Sequence, residues 1–127
     1  MTHIAMSVPE DALTDAFRGD VLDFYGTHFG WTEIDSLRLP DRMTLAVGGG
    51  TYVNIRGRAE PMTCSGYEHF GLRLASSEEV EAAWAALDDD RRDVNLEPLD
   101  RGEDGYRSFR FRYLLPLTVE VQFFPER

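Results

Sequence analysis

Lysine is missing altogether: all 13 basic residues are arginine. That excludes Schiff-base catalysis and the phosphate-cradling loop of the Gly-x-x-x-x-Gly-Lys type. Cysteine is reduced to Cys64, which has no second cysteine to pair with and lies beside Ser65 and Gly66 with no base close to it in sequence. A disulfide framework is excluded, a nucleophilic thiol is disfavoured, and cytoplasmic residence is the expectation. Positive charge is scarce as well. The 13 arginines face 23 acidic residues, giving a net charge of −10, which repels phosphate backbones and anionic membranes and removes nucleic acid from the expected partners. A cationic ligand stays compatible. No apolar run approaches the roughly 20 residues that span a bilayer. Met1-Thr2-His3-Ile4 leads straight into an apolar alternation without the charged, hydrophobic and small-residue segments of an export signal. The expectation is a soluble protein with no membrane partner.

What is present fits one domain: 127 residues, 43% hydrophobic and 28% charged, enough to bury a core without disulfides or structural metals. Residues 3–8 alternate, with Ile4, Met6 and Val8 on one face and His3, Ala5 and Ser7 on the other, which predicts a half-buried strand. Leu13, Phe17, Val21 and Phe24 then recur at helical spacing up to Gly30, with Gly19 inside the stretch. Strands are predicted at 31–38, 43–47 and 51–57, the last two joined by Gly48-Gly49-Gly50. The segment 58–66 has no periodicity and reads as a linker. The pattern then restarts. Residues 68–74 alternate, Ser76 and Glu79 form a capping box, and Val80, Ala83, Trp84 and Leu87 make a helical stripe. Strands at about 94–99, 106–113 and 117–124 follow. Asp88, Asp89 and Asp90 mark a charged turn at or beyond the helix end. Trp31 and Trp84 are assigned to the core.

The order strand, helix, three strands is therefore written twice: a first βαβββ module over about 2–57 and a second over about 67–125. His3 to His69 and Asn54 to Glu120 are both steps of 66 residues. Period two separates a helix-facing set (Ile4, Met6, Val8; Val53, Ile55; Phe70, Leu72, Leu74; Val119, Val121, Phe123) from an opposite face carrying His3, Asn54, His69 and Glu120. If that second face is concave, it gathers two imidazoles and a carboxylate, a ligand set for Fe(II), Mn(II), Zn(II) or Ni(II) with positions left open for substrate. A lone Glu120 in an apolar strand needs a partner, either such a metal or one of Arg73, Arg110 and Arg112. Arg56, Arg73 and Arg110 share strand parity with the polar face and, with Asn54, are candidate substrate-binding residues. His28 is left to the helix end, and Tyr52, Tyr106 and Tyr113 mainly to packing.

Thr2-His3-Ile4-Ala5-Met6-Ser7-Val8, Phe24-Tyr25 through Phe29-Gly30-Trp31, Glu68-His69-Phe70-Gly71-Leu72-Arg73-Leu74 with Ser77-Glu78-Glu79-Val80, and Leu117-Thr118-Val119-Glu120-Val121 together resemble the vicinal-oxygen-chelate superfamily of glyoxalases, bleomycin-resistance proteins and extradiol dioxygenases. The resemblance covers nearly the whole chain. It implies an α+β fold of two βαβββ modules forming a curved mixed sheet around a cleft. It further implies that His3, His69 and Glu120 match metal-ligand positions, Glu120 with a catalytic role, while Asn54 stands on the fourth strand where many members carry an acid. Asn54 has no basic carboxylate, which disfavours glyoxalase I chemistry. Ala5, where fosfomycin-resistance transferases have a hydroxyl, and the absence of lysine disfavour that activity. Leu114-Leu115-Pro116-Leu117 replaces the usual Asp-Pro-x-Gly turn before the last strand. The leading expectation is a divalent-metal-dependent lyase, isomerase or dioxygenase acting on a small oxygen-chelating metabolite, as a homodimer. The rival expectation is a metal-free protein that sequesters a drug or metabolite, a role to which an acidic surface is suited.

Overall fold

A computed structural model describes residues 1–125, which form two compact units, one over Met1–Thr63 and one that begins at Cys64. The first unit runs β1 (His3–Pro9), α1 (Asp15–Phe29), β2 (Thr32–Glu33), a single 3-10 turn at Asp35–Leu37, β3 (Arg42–Gly48) and β4 (Thr51–Arg58). Its sheet has the order β1-β4-β3-β2, with β1 parallel to β4 and the other pairs antiparallel. Apolar period two does the sorting: Met6, Val8, Val53, Ile55, Met43 and Leu45 are buried, as are Val21, Phe24 and Tyr25 of α1. Each such burial is worth about 1.5–3 kcal/mol before entropy is counted. Tyr25 stacks on Trp31 at 4.7 Å, tying the helix to the chain that leaves it.

Thr14 caps α1 by accepting from the Phe17 N–H, and Gly30 closes it at φ 72°, a left-handed value that glycine adopts without penalty. Gly19 is accommodated in the first half of the helix with open space where a Cβ would stand. Gly48, Gly49 and Gly50 all have positive φ, which is how three glycines turn β3 into β4.

The second unit repeats the plan with β5 (His69–Arg73), α2 (Ser77–Asp88), β6 (Asn95–Leu96), β7 (Arg107–Arg112) and β8 (Thr118–Phe123), in the order β5-β8-β7-β6. This is the duplicated α+β architecture expected from the sequence. Ser76 Oγ accepts from the Glu79 N–H at 3.1 Å, while Glu79 reaches back to the Ala75 N–H at 2.9 Å, so the capping box is shifted by one residue on its return arm. Val80 and Leu87 of α2 are buried together with Phe109, Phe111, Val119 and Val121. The helix ends at Asp88, and Asp90 turns back to bind Arg92 through its N–H and guanidinium, both at 2.8 Å.

Three expectations need correction. The strand expected over 31–38 is only Thr32–Glu33, because after Ile34 donates to the Thr44 carbonyl the Leu37 and Arg38 N–H groups turn back to Ile34 and Asp35 in the 3-10 turn and leave the ladder. The strand expected over 94–99 is only Asn95–Leu96. Glu97 still donates to the Arg110 carbonyl at 2.9 Å, but Pro98 interrupts the ladder before Asp100 pairs with Ser108. Trp84 is half-buried rather than in the core, with its indole N–H donating to the Glu97 carbonyl at 3.0 Å.

Candidate metal centre and ligand pocket

Strand register decides which polar side chains become neighbours. In the second unit, His69 stands opposite Thr118 and Gly71 opposite Glu120 across the parallel β5–β8 pair, while Arg110 stands opposite Glu120 across β7–β8. Glu120 is therefore flanked by residues of two strands. Its Oε1 accepts from Arg110 Nε at 3.2 Å, and its Oε2 lies 3.8 Å from His69 Nε2. The carboxylate side chain is 16% exposed, so these partners matter to it more than surface partners would. The imidazole is oriented from its other nitrogen. His69 Nδ1 is 2.6 Å from the Tyr67 carbonyl, an oxygen that can only accept, so Nδ1 donates there and Nε2 is the nitrogen turned toward Glu120.

Of the three arginines weighed as partners for Glu120, Arg110 is the one that binds it. Arg73 donates to the Phe124 carbonyl at 2.9 Å and stacks over the Phe124 ring at 4.3 Å. Arg112 donates to the carbonyls of Pro116 and Cys64, fastening the turn before β8. A depression of about 280 Å³ beside the pair includes Ser108, Tyr106 and Asp100 among its lining residues. On the approach to β5, hydrogen bonds from the Glu68 main-chain N–H and from Ser65 hold the Glu68 carboxyl below its ordinary range.

In the first unit the register is His3 opposite Tyr52, Ala5 opposite Asn54 and Ser7 opposite Arg56. His3 is exposed, stacks flat on Tyr52 at 4.7 Å and places Nδ1 2.8 Å from Thr2 Oγ1. Asn54 Oδ1 is buried with no hydrogen-bond partner among the described residues. Arg56 approaches Asp41 at 3.7 Å. Ala5, Ser7, Asn54, Arg56, Arg58 and Met62 line a pocket of about 450 Å³. Neither unit by itself gathers three or more His, Cys, Asp or Glu among the described residues.

The structure thus brings together His69, Glu120 and Arg110 in one unit, and Asn54 with Arg56 in the other. Sequence reasoning missed Arg58, although its parity with Asn54 and Arg56 was available. It also missed Met62 and the Tyr67 carbonyl, for which no side-chain pattern gives a signal.

No protein-family profile matches the chain, and no curated protein does either. Solved structures do. A lactoylglutathione lyase from Agrobacterium tumefaciens superposes with a TM-score of 0.64 at 20% identity, over 97% of this chain and 92% of that one. A glyoxalase/bleomycin resistance protein from Albidiferax ferrireducens T118 gives 0.69 at 15% identity, over 98% of each chain. The fold is the one these glyoxalase and glyoxalase/bleomycin resistance protein structures share. The fosfomycin resistance protein FosX from Listeria monocytogenes, in a structure complexed with Mn(II) and sulfate, gives 0.67 at 19% identity over 98% of this chain and 90% of that one. One fold thus carries names that include a lyase and two kinds of resistance protein, and at these identities the likeness describes architecture alone.

Proposed function

We propose that the protein binds a divalent metal ion through His3, His69 and Glu120 and acts as a lyase, isomerase or dioxygenase on a small metabolite that presents two neighbouring oxygens. The observation that carries this reading is the His69–Glu120 pair. An imidazole with Nδ1 spent on a main-chain carbonyl offers only Nε2, which lies 3.8 Å from a carboxylate oxygen. Two ligands each about 2.1 Å from a tetrahedral ion stand about 3.4 Å apart, so the pair needs a shift of only a few tenths of an ångström. When bound, the ion supplies Lewis acidity for adjacent substrate oxygens. His3 adds the third ligand if its Nδ1 donates to Thr2 Oγ1, the tautomer that frees Nε2. Arg110 holds the far oxygen of Glu120 and so fixes the direction in which the near one points.

A second reading, a metal-free protein that sequesters a cationic drug or metabolite, has its own support: Arg110 already partners Glu120, and the net charge is −10. The test is metal analysis of protein purified without chelators, followed by titration with Fe(II), Mn(II), Ni(II) and Zn(II). One ion per chain, with affinity falling at least about tenfold in His69→Ala and in Glu120→Gln, is the expected result. Failure of all four metals to bind overturns it in favour of sequestration. We also expect a homodimer in the cytoplasm; a monomer mass by light scattering counts against the assembly.

A further inference from the structure

We infer that the pocket of the first unit receives a small hydroxy acid, with its anionic group on Arg56 and Arg58 and its hydroxyl on Asn54. This rests on the reading above that the polar sheet face carries the ligand, and names the ligand's chemistry. Three independent observations converge. Arg56 and Arg58 are two residues apart on β4 and so project from the same face, about 7 Å apart along the strand, a spacing that two oxygens of one small anion can bridge. Neither guanidinium is strongly committed elsewhere. Arg56 meets Asp41 at 3.7 Å with both side chains about half exposed, a weak pairing, and Arg58 has no ion pair or hydrogen bond among the described residues. One weakly paired and one unpaired guanidinium, side by side among the described residues, stand out on a chain of net charge −10.

The second observation is Asn54. Its Oδ1 is buried without a donor among the described residues, which is costly unless something supplies one. Its register partner on β1 is Ala5, whose methyl group cannot donate and leaves room. A ligand hydroxyl fills that need. An ammonium group does not, because it would sit beside two guanidinium groups. The third observation is the rim. The Met62 N–H donates to Ser7 Oγ at 2.7 Å and the Ser7 N–H to Met62 Sδ at 3.4 Å, which straps an apolar side chain to the pocket edge. A short carbon skeleton fits between Met62 and the polar groups.

The experiment is a titration of the uniformly 15N-labelled full chain, in EDTA, with lactate, propionate and lactamide, followed by main-chain, Asn54 amide and arginine Nε resonances. Lactate is expected to shift Ala5, Ser7, Asn54, Arg56 and Arg58 together, with propionate, which lacks the hydroxyl, and lactamide, which lacks the charge, each about tenfold weaker. Arg58→Gln is expected to weaken lactate about tenfold, and Asn54→Leu to bring lactate down to propionate without lowering the thermal midpoint, since no internal hydrogen bond of Oδ1 is lost. Equal binding of the three probes, shifts scattered over the surface, or indifference to both substitutions overturns the inference. Because EDTA removes metal, a failure here leaves the metal titration standing, and a failure there leaves this one standing.

Discussion

Arg18 is the most consequential single side chain of the first unit, and replacing it with methionine isolates why. Its side chain is 5% exposed and its guanidinium serves the carbonyls of Leu13, Leu39, Pro40 and Arg42 as well as Glu33 Oε2 at 3.4 Å. Methionine keeps most of the apolar stem but leaves Glu33, itself 5% exposed, with only Arg38 at 3.4 Å. Stranding one member of a buried pair costs about 3–5 kcal/mol, and the surviving Arg38 contact places Arg18→Met toward the lower end, about 3–4 kcal/mol. Unfolding entropy of about 2.1 cal/mol/K per residue converts that to a fall in melting temperature of roughly 11–15 °C for a chain of this length. Calorimetry at pH 7 reads the fall, and hydrogen exchange should place it at the Leu39 and Arg42 amides, which face each other across the clamped turn. Adding Glu33→Gln removes the stranded charge and should restore at least about 1 kcal/mol. A drop below about 4 °C, or a double variant less stable than the single one, refutes the reasoning.

Two glycines of α1 should respond with opposite sign. Gly19→Ala, in the helix interior with open space for the added Cβ, should stabilise by about 0.5–1 kcal/mol, whereas Gly30→Ala, at φ 72°, should destabilise by about 1–2 kcal/mol; urea midpoints that move the same way would contradict both assignments. Glu81 carries a pH signature. Hydrogen bonding from Arg101, with Arg107 behind it, holds its carboxyl below the ordinary value of about 4.5 despite some desolvation. Its folded pKa is depressed, so its stabilising contribution is present above the unfolded value and is lost as pH falls through the folded one. Wild type should therefore lose stability more steeply than Glu81→Gln as pH drops below about 4.5, and parallel slopes would exclude the effect.

The duplicated plan was readable because its signals are local. Val119, Glu120 and Val121 alternate within one strand, Ser76 and Glu79 cap within one turn, and Gly30 ends the helix in which Val21 and Phe24 are buried. The short β2 and β6 were not readable. Their limits depend on the 3-10 turn that follows Ile34 and on Pro98, which interrupt runs whose side-chain pattern would otherwise continue. The site divides in the same manner. Parity placed Asn54, Arg56 and Glu120 on the polar face, and Arg110 was among the partners that parity allowed for Glu120. The unmet need of Asn54 depends on Ala5 standing opposite it, a parallel register that links distant residues and that no local pattern encodes.

The anchor of His69 is a main-chain oxygen, and Tyr67 itself is 75% exposed with its ring 5.8 Å from the imidazole in an edge-on arrangement. Whatever side chain occupies position 67, the same carbonyl remains to hold the tautomer. The identity of that residue is thereby decoupled from the orientation of its neighbour: substitutions there can reshape what approaches the imidazole while leaving Nε2 aimed as it is, which makes 67 a position where selectivity can be changed without rebuilding the chemistry beneath it.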